Sequence, residues 1–204
     1  KMKNNMVKIK KALISVSNKS GLKKFVSDLN SLDIKVIASG GTAKFIEENG
    51  FNVIDIEKIT GFPHLLGGRV KTLHPKIHSS ILADRGNQNH IKDLKKMEID
   101  TIDLVVCDLY PFSDAVDKKK DIDYCVENID IGGITLLRAA GKNFKYVTVI
   151  TNISQYQEVI DHLKENKGYS TYKFRLKKAN QAFKCSSNYD SQILKWFNQL
   201  NKKE

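Results

Sequence analysis

IKVIASGGTAKFI, residues 34–46, is the stretch on which the fold turns. Its first six positions are mostly apolar and β-branched, which predicts a strand over 34–39. Two glycines close that run, and Phe45 and Ile46 then recur at helical spacing toward Gly50. A strand that turns through glycine into a helix is the repeating half of a βαβ unit. The same order appears on either side of it. KALISV (11–16) runs into the turn SNKSG and a helix over 20–31 with Leu22, Phe25, Val26 and Leu29 inward. NVIDI (52–56), IDLVVCDLY (102–110) and YVTVI (146–150) read as further strands. Helices are expected at 88–97, 133–141, 154–165 and 172–200. The last of these should turn Phe174, Ala179, Ala182, Phe183, Ile193, Leu194 and Phe197 inward. Alternation of this kind implies right-handed crossovers and an α/β fold of three layers, a parallel sheet with helices on both faces. One domain over 11–200 is expected, with residues 1–10 as an N-terminal extension.

The chain has 204 residues and a formal net charge of +11. Five lysines in residues 1–11 and one net charge in the last three leave +5 on residues 12–201. Of the basic residues 30 are Lys and only four are Arg, beside 16 Asn. A groove that tracks nucleic-acid phosphates recruits Arg, so a solvated basic surface is the reading and no nucleic-acid partner is expected. Cys107, Cys125 and Cys185 have neither metal nor disulfide spacing, which places the chain in a reducing cytoplasm. ALISV is too short for a signal or membrane segment, so no membrane partner is expected.

In a doubly wound sheet, ligands lie beyond the carboxyl ends of the strands, and the unusual polar clusters fall there. SGGT (39–42) can close backbone N–H groups on a phosphate at a helix start, or be a tight turn with Thr42 as cap. SNKSG (17–21) offers the same choice, with Lys19 as a point charge. Neither GxGxxG nor GxxxxGK[ST] occurs. GGRVKTLHPKIH (67–78) shows no apolar period and reads as a donor-rich loop. His74 and His78 sit four apart, but Pro75 lies between them and no third ligand accompanies them, so no metal is expected. In IDIGGITLLRAAGKN (129–143), Asp130 and Lys142 are either a helix cap and a dipole partner or an acid/base pair.

The ordered set SVSNKSGL, ASGGTAKFI, ITGFPHLLGGRVKTLHPKIH, CDLYPF, IDIGGITLLRAAGKN and KANQAF…NYD resembles the cyclohydrolase domain of the bifunctional purine-biosynthesis family, which joins phosphoribosylaminoimidazolecarboxamide formyltransferase to IMP cyclohydrolase. The resemblance runs from about Lys11 to Phe197. It implies a methylglyoxal-synthase-like fold, ring closure of 5-formamidoimidazole-4-carboxamide ribonucleotide to IMP, no cofactor, and a homodimer. The transformylase domain that follows in that family is not expected in this chain, which reads as a piece of a longer protein or a free-standing cyclohydrolase. By resemblance, Ser17, Asn18, Lys19, Ser39, Gly40, Gly41 and Thr42 would hold the phosphate and ribose side. Arg69, Val70, Lys71 and Thr72 would frame the base, and Cys107, Asp108 and Ile131 would line its pocket. Asp130 and Lys142 would transfer protons, with Lys71 and Tyr110 in support.

Asp108 stands where the family usually has Asn, and an ionised carboxylate offers acceptors only. Two other functions share such a fold. A methylglyoxal synthase-like lyase would keep the phosphate loops but not GRVKTLHP and IDIGG. A non-catalytic nucleotide-sensing domain would lose the acid/base groups, whereas Lys71, Tyr110, Asp130 and Lys142 are all present. A geometric problem remains. Twelve residues of straight helix span about 18 Å, too far for Asp130 and Lys142 to share one substrate. Either the helix breaks near Gly133 or Gly141, or the two groups meet across subunits.

Overall fold

The strand–glycine–helix unit at 34–46 forms, and a parallel sheet is built around it. The computed structural model describes residues 5–63, 66–117 and 121–201. Along the chain run β1 (Val7–Lys8), β2 (Lys11–Ser15), α1 (Leu22–Ser31), β3 (Lys35–Ala38), α2 (Gly40–Glu48), β4 (Ile54–Asp55) and α3 (Ile56–Thr60). There follow α4 (Pro75–Leu82), α5 (Gln88–Lys96), β5 (Leu104–Cys107), α6 (Phe112–Asp117), α7 (Ile122–Glu127) and α8 (Gly132–Lys142). The chain continues through β6 (Thr148–Ile150), α9 (Tyr156–Glu165), β7 (Tyr169–Ser170) and α10 (Tyr172–Leu200).

The main sheet has the order β4-β3-β2-β5-β6 with every pair parallel, Ile14 lying between Ala38 and Val106. Alternation along the strands divides the core. Ala12, Ile14, Val36, Leu104 and Val106 face one way, against Phe25, Val26 and Leu29 of α1 and Val159, Ile160 and Leu163 of α9. Leu13, Ile37, Val105 and Val149 face the other way, against Ile77 and Ile81 of α4 and Leu136, Leu137 and Ala140 of α8. Each such side chain removed from water contributes about 1.5–3 kcal/mol, so both sheet faces must be covered and three layers result. The expected fold class is the observed one.

Several elements differ from expectation. The donor-rich loop becomes α4 at Pro75, because His74 caps it with Nδ1 accepting from the Lys76 N–H at 3.1 Å and proline suits the first helical turn. The acidic stretch after β5 holds α6 and α7. Their side chains Phe112, Ala115 and Cys125 form a separate small core with Tyr189 and Trp196 of α10. Residues 7–9 are part of the domain rather than an appended tail. Val7 and Lys8 pair antiparallel with Ser170 and Tyr169, and Ile9 is buried.

The inner face of α10 is also not the one expected. Phe174, Ala179 and Ala182 are buried, but Phe183, Leu194 and Phe197 are exposed, while Arg175, Lys178, Ser186, Tyr189 and Trp196 are buried. One residue is 100° of helix, so Phe183 turns away when Ala182 turns in. Charge at two inward positions hid the true stripe. Arg175 is covered because its guanidinium donates to the carbonyls of Asn5, Phe144, Lys145 and Ser170, and burial still lowers its pKa to about 10. Lys178 is covered because it pairs with Glu158 at 2.6 Å. Among the described residues no helix is long and apolar enough to cross a membrane.

Candidate active site

The strand order places the site. From β2 the chain builds outward to β4, then returns to lay β5 on the other side of β2, so the sheet reverses between β2 and β5. Two clefts open at the carboxyl edge there. The first, about 470 Å³, is lined by Ser15, Ser39, Gly68, Arg69, Lys71, Thr72, Glu127, Asp130, Ile131, Gly132 and Gly133, among others. The second, about 530 Å³, includes Ser17, Asn18, Asp108, Tyr110, Asn152, Cys185, Asn188, Tyr189 and Gln192. A hydrogen bond of 2.7 Å from the Asp130 N–H to the Tyr189 hydroxyl joins residues that line the two clefts.

Glycines make the first cleft possible by leaving room for other residues' side chains. A Cβ on Gly68 would stand 2.3 Å from Cε of Lys71, and one on Gly40 would stand 2.8 Å from its Nζ. The Lys71 chain therefore lies over both glycines and brings its ammonium to the N-terminus of α2. Both glycines have positive φ, +92° and +53°, which L side chains rarely adopt. The Gly132–Gly133 pair works likewise. A Cβ on Gly132 would meet Thr72 Oγ1 at 2.8 Å, and one on Gly133 would meet Asp130 Oδ2 at 2.6 Å. The Asp130 carboxylate accepts from the Gly133 N–H at 2.6 Å and caps the start of α8. Burial pushes its pKa up against that hydrogen bond, and the charge on Asp108 pushes the same way. A part-buried carboxyl with a raised pKa, in a cleft that a lysine also lines, suits proton transfer.

The turn after β2 is arranged differently from the expected phosphate cradle. The Asp108 carboxylate accepts from the N–H and hydroxyl of Ser17 at 2.5 and 3.0 Å and from the N–H of Asn18 at 3.1 Å. An internal carboxylate thus takes up the N–H donors of the turn across the β2–β5 reversal. Lys19 points inward, its ammonium bonding the Val16 carbonyl and Thr42 Oγ1. Thr42 is buried and donates to the same carbonyl at 3.0 Å, so it ties α2 to β2; the N-cap of α2 is Ser39. Burial lowers the Lys19 pKa, with Asp108 opposing.

Of the expected residues, Ser39, Arg69, Lys71, Thr72, Asp130 and Ile131 meet in the first cleft, and Ser17, Asn18, Asp108 and Tyr110 in the second. Lys19, Gly40, Gly41, Thr42, Val70, Cys107 and Lys142 line neither. Cys107 is buried in the core of the sheet, and burial raises its thiol pKa well above the usual value. Tyr110 has its pKa raised by a hydrogen bond with Tyr124. The helix α8 runs unbroken from Gly132 to Lys142, which removes the folded-back arrangement. From Gly132 to Lys142 the helix rises about 15 Å, so Asp130 before its start and Lys142 at its end lie at opposite ends of it.

The sequence reading missed Glu127 and gave Tyr189 no role. Glu127 lines the first cleft and holds Arg69 in a two-pronged ion pair. Nothing in an exposed helical acid signals this. The histidines have local partners: His74 caps α4, and His78 hydrogen-bonds the Thr72 backbone while burial lowers its pKa. Among the described residues no group of three His, Cys, Asp or Glu side chains could hold a metal ion.

Comparison with known proteins bears on both halves of the chain. Residues 140–204 match the model of the AICARFT/IMPCHase bienzyme family. The bifunctional purine biosynthesis protein PurH of Acetivibrio thermocellus is 47% identical over 189 residues, 92% of this chain and 37% of that protein. PurH of Persephonella marina is 48% identical over 184 residues, 90% of this chain and 36% of that protein. The chain thus spans little more than a third of the length of these relatives. The crystal structure of ForH superposes with a TM-score of 0.79 at 31% identity, covering 93% of this chain and 99% of that one. Residues 21–135, more than half of the chain, match the model of the MGS-like domain, and with the parallel sheet just described the chain belongs to the MGS-like domain family.

Proposed function

We propose that this chain is an IMP cyclohydrolase, closing the six-membered ring of 5-formamidoimidazole-4-carboxamide ribonucleotide with loss of water. The observation that carries the proposal is the meeting of Lys71 and Asp130 in one cleft at the β2–β5 reversal, with Arg69 at its side. The match of residues 140–204 to a family described by this activity favours it over the lyase chemistry that an MGS-like fold also hosts.

In the proposed reaction the carboxamide nitrogen attacks the formyl carbon and gives up a proton. The formyl oxygen gains negative charge, takes up one proton to become a hydroxyl, and leaves as water with a second, while the former formamide nitrogen gives up its own proton to complete the ring C=N bond. An amide is a weak nucleophile, so holding it against the formyl group comes first. The ammonium of Lys71 at the N-terminus of α2 combines a full charge with the positive end of a helix. That pairing suits an anion, whether the phosphate or the developing oxyanion. Asp130, with its raised pKa, would accept the amide proton and return one to the departing hydroxyl. Thr72 and the N–H groups near Gly132 line the same cleft and would orient the base. Tyr110 would serve from the second cleft.

Lys142 takes part only if another copy of the chain brings it to the cleft. A cytoplasmic homodimer with a shared site is part of the proposal, and cysteines outside any disulfide suit that compartment. The test is absorbance-monitored IMP formation from the formamido ribonucleotide, with and without chelator and folate. Turnover unaffected by either is expected. Absence of turnover, or turnover abolished by chelator and restored by zinc, would sink the assignment.

A further inference from the structure

We propose that Tyr189 is a positioning residue for Asp130, a role that rests on the proton-transfer role just proposed for Asp130. Tyr189 lies on α10, 59 positions from Asp130 in sequence, and is only 5% exposed. Its hydroxyl accepts the Asp130 N–H at 2.7 Å and donates to the Asn128 carbonyl at a longer 3.4 Å. One phenol thus engages the segment that enters α8 at two of its backbone groups. Asp130 is fixed at its other end by the Gly133 N–H. Backbone and carboxylate are both held, so the oxygen that meets the substrate has little freedom left.

The phenol itself cannot drift. Its ring packs edge-on against Phe112 at 6.5 Å, in the small core that also holds Trp196 and Cys125. Tyr189 also lines the second cleft, while Asp130 lines the first. Burial of the Asp130 carboxyl is the largest cause of its raised pKa.

The test substitutes Tyr189→Phe, which keeps the ring and removes the hydroxyl. The parent holds the Asp130 amide proton in a short, partly buried hydrogen bond, and the variant should exchange it with solvent at least tenfold faster. In turnover, kcat should fall about 5- to 50-fold with KM within about twofold, since misplacement of reacting groups by a fraction of an ångström has effects of this order. The acid limb of the pH–rate profile should move to lower pH, because a carboxylate whose backbone is released from its anchor can leave its buried position, and that favours the ionised form. Phe112→Leu is the control, disturbing the same aromatic core without touching Asp130. Unchanged exchange of the Asp130 amide, or an equal loss of kcat with the same pH shift in Phe112→Leu, would overturn the positioning role. Should the parent chain show no cyclohydrolase turnover, the functional reading fails while the exchange measurement still decides whether Tyr189 holds Asp130.

Discussion

Replacing Gly133 by alanine tests the site at its tightest point. The new Cβ would lie 2.6 Å from Oδ2 of Asp130 and 3.0 Å from its Cγ and Oδ1, whereas ordinary contact begins at 3.4 Å. The carboxylate must therefore retreat by about 0.8 Å, and it is too short a side chain to do so by bending elsewhere. Misplacing a reacting group by about 1 Å costs on the order of 100-fold in rate, so kcat should fall by roughly 30- to 100-fold. Stability should move the other way. Gly133 sits inside α8 at a φ open to any residue, and alanine is favoured over glycine in a helix by about 1 kcal/mol. For a chain of this size that is about +2–4 °C in Tm, less whatever strain the carboxylate retains. Steady-state turnover, IMP affinity and thermal unfolding are measured on the same preparation. Loss of turnover with Tm held or raised is the expected pattern. Parental kcat in a folded Gly133→Ala chain would refute the claim that the carboxylate acts from the position described here.

Three further predictions follow the electrostatics and the geometry of α8. Burial holds the Asp130 carboxyl above its ordinary 3.8, so its contribution to stability is complete below about pH 3.8 and lost as pH rises through the raised folded value. Asp130→Asn keeps an acceptor for the Gly133 N–H and should abolish turnover while raising Tm at pH 7 more than at pH 4; an equal change at both pH values would contradict this. Asp108→Asn removes the charge that helps burial raise the Asp130 pKa and frees a donor in the Ser17–Asn18 turn. The acid limb of the pH–rate profile should then shift to lower pH, and an unchanged profile would make Asp108 a structural brace alone. Mixing Asp130→Asn with Lys142→Ala chains should recover up to about a quarter of parental activity if two equivalent sites form across a two-fold axis. No recovery after demonstrated subunit exchange would exclude the shared site and leave Lys142 outside the reaction.

The sequence by itself determined the class of fold. Strands at 11–16, 34–39 and 102–110 and the helices between them were legible because apolar periods of 2 and 3.6 are properties of neighbouring residues. The chemistry-bearing loops were legible too, since a parallel sheet sends every βα turn to one edge. What lay beyond local period was decided by the tertiary structure. The inward face of α10 carries Arg175 and Lys178, whose burial depends on carbonyls of Asn5, Phe144 and Lys145 and on Glu158, all distant in sequence. Gly40 reads as a turn or phosphate-loop glycine and Gly68 as part of a donor-rich loop, but their smallness serves the passage of Lys71. Ser17 and Asn18 read as anion donors, and an internal carboxylate from the next strand already occupies their N–H groups. Tyr189 and Asp130 gain their relation only when α10 packs over the start of α8. Hydrogen bonds and close approaches have ranges of about 3 Å, so which partners meet at that distance is fixed by the packing of whole elements and cannot be read from spacing along the chain.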